Sequence, residues 1–301
     1  MRSGSGGPAQ TRGLPHKISA PWVFLVIAVV VAAVLFGIDR YRHRFVRSDA
    51  DLIRLLPRNG ATRFYVNVAA VRQVLGPAKR EDPEYRRFVD ETGFDYQRDA
   101  DALAGTADSS ELLFLVRGRF DWDRVRRYVA QHGGANEAGR WVSFIAVQPD
   151  VIGLAVSADR SAAQKLLVHE KKPGGNPPPY PVWVEPSQKL LRNPVDLPFP
   201  VRILAIWLQS ANPVVLGLGP AANGEFALRL DATFPNPVTA KTTRNQLEIE
   251  TRMLKLELAR EHRQPSADDL TGLLAAGRFE VSGDQLKGIW PVRKELLDSL
   301  R

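Results

Sequence analysis

Gly217-Leu218-Gly219-Pro220-Ala221-Ala222 has a spacing that chemistry uses, because it matches the dinucleotide fingerprint G-x-G-x-x-A behind a strand-like run. That fingerprint needs a helix N-terminus next in the chain to face a pyrophosphate. Here Asn223-Gly224 and a second strand-like run follow, so the stretch reads as a β-hairpin. Asp95, Asp99 and Asp101 gather before Leu103, and Asp121 and Asp123 flank Trp122. A calcium loop would need D-x-D-x-D-G with a glutamate at its twelfth position, so these acids read as solvated carboxylates or helix caps. His132, His169 and His262 each fall near the end of an expected helix, where an imidazole favours the negative dipole end, and no pair has the spacing H-x-x-x-H. Pro177-Pro178-Pro179-Tyr180 has the P-P-x-Y form that aromatic grooves take as a polyproline helix. Within a proline-rich stretch it reads as linker. There is no G-x-S-x-G, no S-x-x-K, no phosphate-binding G-x-x-x-x-G-K-[ST] and no cysteine. The sequence therefore assigns no catalytic, cofactor-binding or metal-ligating residue, and no cofactor is expected.

The net charge of +8 invites a nucleic-acid reading, yet residues 1–47 carry +6 of it and residues 48–301 only +2. A nucleic-acid footprint on the folded part is not supported. The charge belongs to the flanks of one apolar run, Trp22 to Ile38, which holds no charged residue and no proline. At helical rise those residues span about 25 Å, close to the hydrocarbon thickness of a bilayer. The run lacks an A-x-A-like cleavage pattern, so the expectation is an uncleaved transmembrane helix over 22–38 behind a disordered tail over 1–21. Three basic residues (Arg2, Arg12, Lys17) before the helix against four (Arg40, Arg42, Arg44, Arg47) after it slightly favour a cytoplasmic C-terminal domain. A short tail before the helix and a long region after it outweigh that count and point to a domain outside the cytoplasm, with the membrane lipid as one partner.

Beyond the anchor, Thr62 to Val68 reads as a strand, and Asp82-Pro83-Glu84 opens a helix that Gly93 stops. A strand over Glu111 to Val116 precedes a helix from Asp121. Trp141–Val147 and Val151–Val156 form a hairpin around Gln148-Pro149-Asp150, apolar enough on both arms to suggest central strands. A helix from Asp159 to His169 closes this half, residues 49–172. Residues 173–200 hold nine prolines in 28 positions and read as an extended connector. The second half, 201–301, resumes with strands near Val201–Leu208, Val214–Leu218 and Glu225–Asp231. It continues with a segment free of Gly and Pro from Val238 to His262, a helix over Ala267–Ala276, a hairpin over Arg278–Trp290 and a last helix to Arg301.

The segment 238–262 carries the most informative pattern. Residues 247–251 and 254–258 alternate with period two, as strands would, but the abundance of Glu, Leu, Lys, Arg and Met favours a helix. Read as a helix, the segment places Leu247, Leu254 and Leu258 along one side and Ile249, Met253 and Leu256 almost opposite. One stripe can pack on the sheet. The other must meet the neighbouring leucines Leu270, Leu273 and Leu274, or else a second subunit or a partner helix.

Each half ends in a hairpin followed by a helix, and Gly118-Arg119-Phe120-Asp121 is similar to Gly277-Arg278-Phe279-Glu280. This plan resembles uncharacterised bacterial single-pass membrane proteins with a repeated α+β domain beyond the anchor. The resemblance covers the general plan, and it implies a fold and no particular activity. The expected fold is thus α+β: an N-terminal transmembrane helix, then a two-part mixed soluble region with antiparallel hairpins packed against helices. The expected function is a membrane-anchored binding or assembly module, with a protein partner or homo-oligomer contacting residues 238–262. The alternatives are an extracytoplasmic hydrolase with a site assembled from scattered residues, and a small-ligand sensor.

Overall fold

The computed structural model describes residues 48–57, 60–76, 83–132, 139–167, 176–221, 225–262, 270–293 and 296–297. The described strands are β1 (Thr62–Val66), β2 (Ala100–Ala107), β3 (Glu111–Gly118), β4 (Trp141–Gln148), β5 (Val151–Ser157), β6 (Val182–Glu185), β7 (Val214–Pro220), β8 (Phe226–Thr233), β9 (Arg278–Ser282) and β10 (Gln285–Val292). The helices are α1 (Asp49–Arg54), α2 (Val68–Leu75), α3 (Pro83–Thr92), α4 (Tyr96–Asp99), α5 (Trp122–His132), α6 (Gln188–Arg192), α7 (Phe199–Leu208), α8 (Pro237–Arg260) and α9 (Leu270–Ala275), with a 3-10 helix over Ala162–Leu167.

All ten strands lie in one sheet in the order β4-β5-β3-β2-β1-β6-β7-β8-β10-β9, and every neighbouring pair is antiparallel. This corrects the two-part soluble region expected from the sequence. The strand that joins the halves is β6, inside the proline-rich stretch 173–200. It sets Tyr65 of β1 opposite Trp183, and Trp183 opposite Gly217 of β7. Pro181 and Pro186 stand just outside the strand, where the missing N–H costs no ladder bond, and the Pro181 carbonyl accepts from the Asn67 amide at 2.6 Å. Trp183 is only 1 % exposed, so the segment that looked like a spacer sits at the centre of the sheet.

The anchor expectation is corrected too. Among the described residues no helix is long and apolar enough to cross a membrane, so the transmembrane and single-pass description finds no helix among them. The tail 1–21 and the run 22–38 lie outside the described residues.

Strand alternation divides the interior into two cores. Phe64 and Val66 face one side of the sheet with Val182, Val214, Leu230, Leu286 and Trp290, while Tyr65 faces the other with Leu113, Leu115, Ala155 and Trp183. The first core is closed by helices, among them α2 through Val68 and Val71, α7 through Leu204 and Leu208, α8 through Leu247, and α9 through Leu273 and Leu274. The second is closed by Leu52, Ile53 and Leu56 at α1 and by Ala162, Ala163 and Leu166 of the 3-10 helix. Asp49 ties α1 to the sheet, accepting from Arg117 at 2.6 Å and from the Asn67 amide group at 3.2 Å.

Local expectations were met unevenly. The β4–β5, β7–β8 and β9–β10 hairpins and helices α3 and α5 lie where turn and cap residues place them, and α8 fills the segment free of Gly and Pro. Val201–Leu208, expected as a strand for its β-branched residues, is the body of α7. Proline in the first turn and the helical spacing of buried Leu204, Ala205 and Leu208 override local propensity there. β4 is an edge strand, half-exposed along its length, and not a central one. The expected helix over 159–169 is only the 3-10 turn 162–167, and most of the last helix to Arg301 lies outside the described residues. β2 was missed because Ala100 to Ala107 is built from small residues with low strand propensity. They fit a crowded centre: Ala102 and Ala104 are fully buried, and a Cβ on Gly105 would fall 2.2 Å from the Phe64 ring.

Candidate functional site

The long helix α8 begins with the Asn236 side chain accepting from the Thr239 amide at 2.9 Å, and Pro237 occupies its first turn. It runs 24 residues with no glycine, and His262 just beyond it adopts a φ of 54°, the left-handed conformation that ends helices. Ala240, Thr243, Leu247, Thr251 and Leu258 are buried along one face, and Leu254 packs half-buried against the same core. That face lies on β9 and β10, with α7 and α9 beside it.

Among the described residues nothing covers the opposite face. Ile249, Met253 and Leu256 are 49 %, 57 % and 52 % exposed, although Leu273 and Leu274 of α9 are buried alongside. The leucines of α9 therefore fill the first stripe's core and leave the second stripe free. On α7, Ile206 is exposed as well, and a cleft of about 410 Å³ between the two helices is lined by Ile206, Trp207, Thr242 and Gln246. Of the nine large apolar side chains exposed among the described residues, five (Ile206, Val238, Ile249, Met253 and Leu256) belong to α7 and α8. Single exposed leucines need no explanation, but a contiguous helical stripe does.

The flanks of this stripe carry opposite charge. Arg252 and Lys255 project on one side, with Arg244 donating to Glu248 at 2.7 Å one turn earlier, and Glu250 and Glu257 project on the other.

No protein-family model matches the chain, and no curated protein sequence matches it. Among solved structures it is similar to "Structure of crystal form I of TP0453", at 14% identity over 84% of this chain and 97% of that chain, with a TM-score of 0.39. Similarity at that level carries no argument about fold or function.

The residues with ligand-like chemistry are placed in structural roles. Gly217 and Gly219 lie within strand β7 and not in a phosphate loop. A Cβ on Gly217 would fall 2.0 Å from the Tyr180 ring, so the glycine lets that tyrosine lie flat on the sheet. Tyr180, from the P-P-x-Y stretch, donates its hydroxyl to Asp231, and burial together with that bond pushes the phenol up to about 12. Its ring is therefore not presented to a partner groove.

The acidic cluster is held by hydrogen bonds and arginines of the fold. Asp95 caps α4, accepting from the Gln97 amide at 2.9 Å and from the Tyr85 hydroxyl. Asp99 is 6 % exposed and holds Arg119 at 2.9 Å and Arg98 at 3.1 Å. Arg72, also buried, donates to the carbonyls of Arg98 (2.6 Å) and Ala100 and lies 3.6 Å from Asp101. Burial pulls the Arg72 guanidinium below its ordinary value, and the surrounding aspartates oppose that shift. Asp121 caps α5 through the amides of Asp123 and Arg124. His132 is the last residue of α5, His262 follows α8, and His169 lies outside the described residues. Among the described residues, no three histidine or acidic side chains come together as a metal site. The α8 stripe is marked in the sequence by its period, whereas Ile206 carries no such signal, because Val201–Leu208 reads locally as a strand.

Proposed function

We propose that this chain is a binding or assembly module whose docking surface is the outer face of α8. The observation that carries this reading is the exposure of Ile249, Met253 and Leu256 after α7, α9 and the sheet have packed against the same helix. Burying those three side chains against a partner removes apolar area from water on a rigid helix, so little ordering entropy opposes it.

The test exploits the absence of cysteine. Met253→Cys is labelled in intact cells with a membrane-permeant maleimide, and Ser282→Cys, at the exposed β9–β10 turn, serves as the reference. The ratio of the two rates is compared with that of the dilute purified protein. Several-fold slower labelling of Met253→Cys in cells supports a covered stripe, and an unchanged ratio overturns the reading. The expected compartment, outside the cytoplasm, is read separately with an impermeant reagent on Ser282→Cys. Labelling before lysis supports it, and labelling only after lysis overturns it.

A further inference from the structure

We propose that the partner of the α8 face is a second copy of this chain, docked with its own α8 parallel and in register about a two-fold axis that runs along the helices. The inference rests on the docking role just given to that face and adds the identity and orientation of what covers it. Ile249, Met253 and Leu256 follow one another at steps of four and three residues, the alternation of a two-helix seam. Thr242 and Gln246 precede them on the same face and Arg260 follows, so the apolar seam is bounded at both ends by polar side chains.

Charge selects the occupant and its direction. If the two-fold axis lies perpendicular to the helices, the copies run antiparallel and each flank meets its own kind, acid beside acid and base beside base. An axis parallel to the helices turns one copy so that its basic flank meets the acidic flank of the other. Arg252 then faces Glu257 of the second copy, and by symmetry the contact forms twice; Asn245 likewise comes beside Glu250. Arg252 and Glu257 are both exposed, and neither has an ion pair among the described residues. The surface is thus self-complementary in one orientation. Three half-exposed side chains and their rims bury less than the roughly 1,200 Å² of a standard interface, so the association is of the weak, concentration-dependent class.

Two measurements on the whole chain test this. Ile249→Cys, Met253→Cys and Leu256→Cys are made singly and oxidised at high protein concentration, with melting curves confirming that each variant folds as the parent does. Parallel in-register pairing brings every seam position against itself, so all three variants form disulfide-linked dimers. Cross-linking at one position only would mean an antiparallel pair and would overturn the proposal. In sedimentation equilibrium, Arg252→Glu and Glu257→Arg are each expected to weaken self-association by roughly tenfold, while an equimolar mixture of the two recovers it as a heterodimer. If the parent stays monomeric at the highest concentration and no cysteine variant cross-links, the second copy is not the partner. Slow labelling of Met253→Cys in cells would still stand in that case, and would assign the face to a different protein.

Discussion

Tyr180 has ligand-like chemistry that the fold spends on structure. Its ring covers Gly217, and its hydroxyl donates to Asp231 across the sheet. The consequence appears at alkaline pH. Its phenol titrates near 10 in an unfolded chain and is pushed up to about 12 in the fold, so its contribution to stability is fully present below pH 10 and is lost as pH rises towards 12. Thermal melting of wild type and Tyr180→Phe between pH 9 and 12 should show the wild type more stable at pH 9 and the difference closing towards pH 12. A difference independent of pH would mean the phenol is not held neutral by burial and Asp231. The acidic cluster is likewise engaged in structure: Asp95 accepts from the Tyr85 hydroxyl, Asp99 pairs with Arg98 and Arg119, and Asp101 lies 3.6 Å from Arg72. None of these partners could be read from spacing, because Arg72 reaches Asp101 only through the packing of α2 on β2.

At the scale of elements, α8 was the most legible. Helix-favouring composition and the absence of Gly and Pro over 238–262 pointed to its existence, and the helical period to both of its faces. Substitution separates the faces cleanly. Leu247→Glu places a carboxylate in the core and should destabilise the protein by about 3 kcal/mol or more. Met253→Glu lies in water in the isolated protein and should change stability by less than about 0.5 kcal/mol. Urea melts of both variants at a concentration low enough to suppress association check the contrast, and equal losses would mean the second stripe is buried. Among the elements that escaped sequence reading, β2, β6 and α7 each did so for a reason of context. Alanine and glycine suit β2 because Phe64 and the α1 core crowd it, three apolar residues suffice for β6 because both its edges are paired, and strand-like residues become helical in α7 because a helix buries them better.

For the whole molecule, the decisive feature is that β6 has β1 on one side and β7 on the other. Neither half closes its own sheet, so the chain should unfold as one cooperative unit. Calorimetry of residues 48–301 is expected to show a single transition with matching calorimetric and van't Hoff enthalpies. The piece 48–172 alone, with the β1 edge bare, is expected to aggregate or melt without cooperativity. Two separated transitions, or a cooperatively folding 48–172 fragment, would contradict the continuous sheet.

The sequence by itself determined the local features whose causes lie within a few residues: the hairpins marked by turn residues, the helices marked by caps, the two-faced period of α8, and the lack of any motif for nucleotide, metal or nucleophilic chemistry. Tertiary structure alone decided that two apparent halves are one sheet, that Tyr180 and Gly217 serve each other, and that the second stripe of α8 stays open once α7, α9 and the sheet have packed. These depend on which distant segments pair and how much surface remains once they have. Strand order and residual exposure are properties of the assembled chain, and no local period or propensity encodes them.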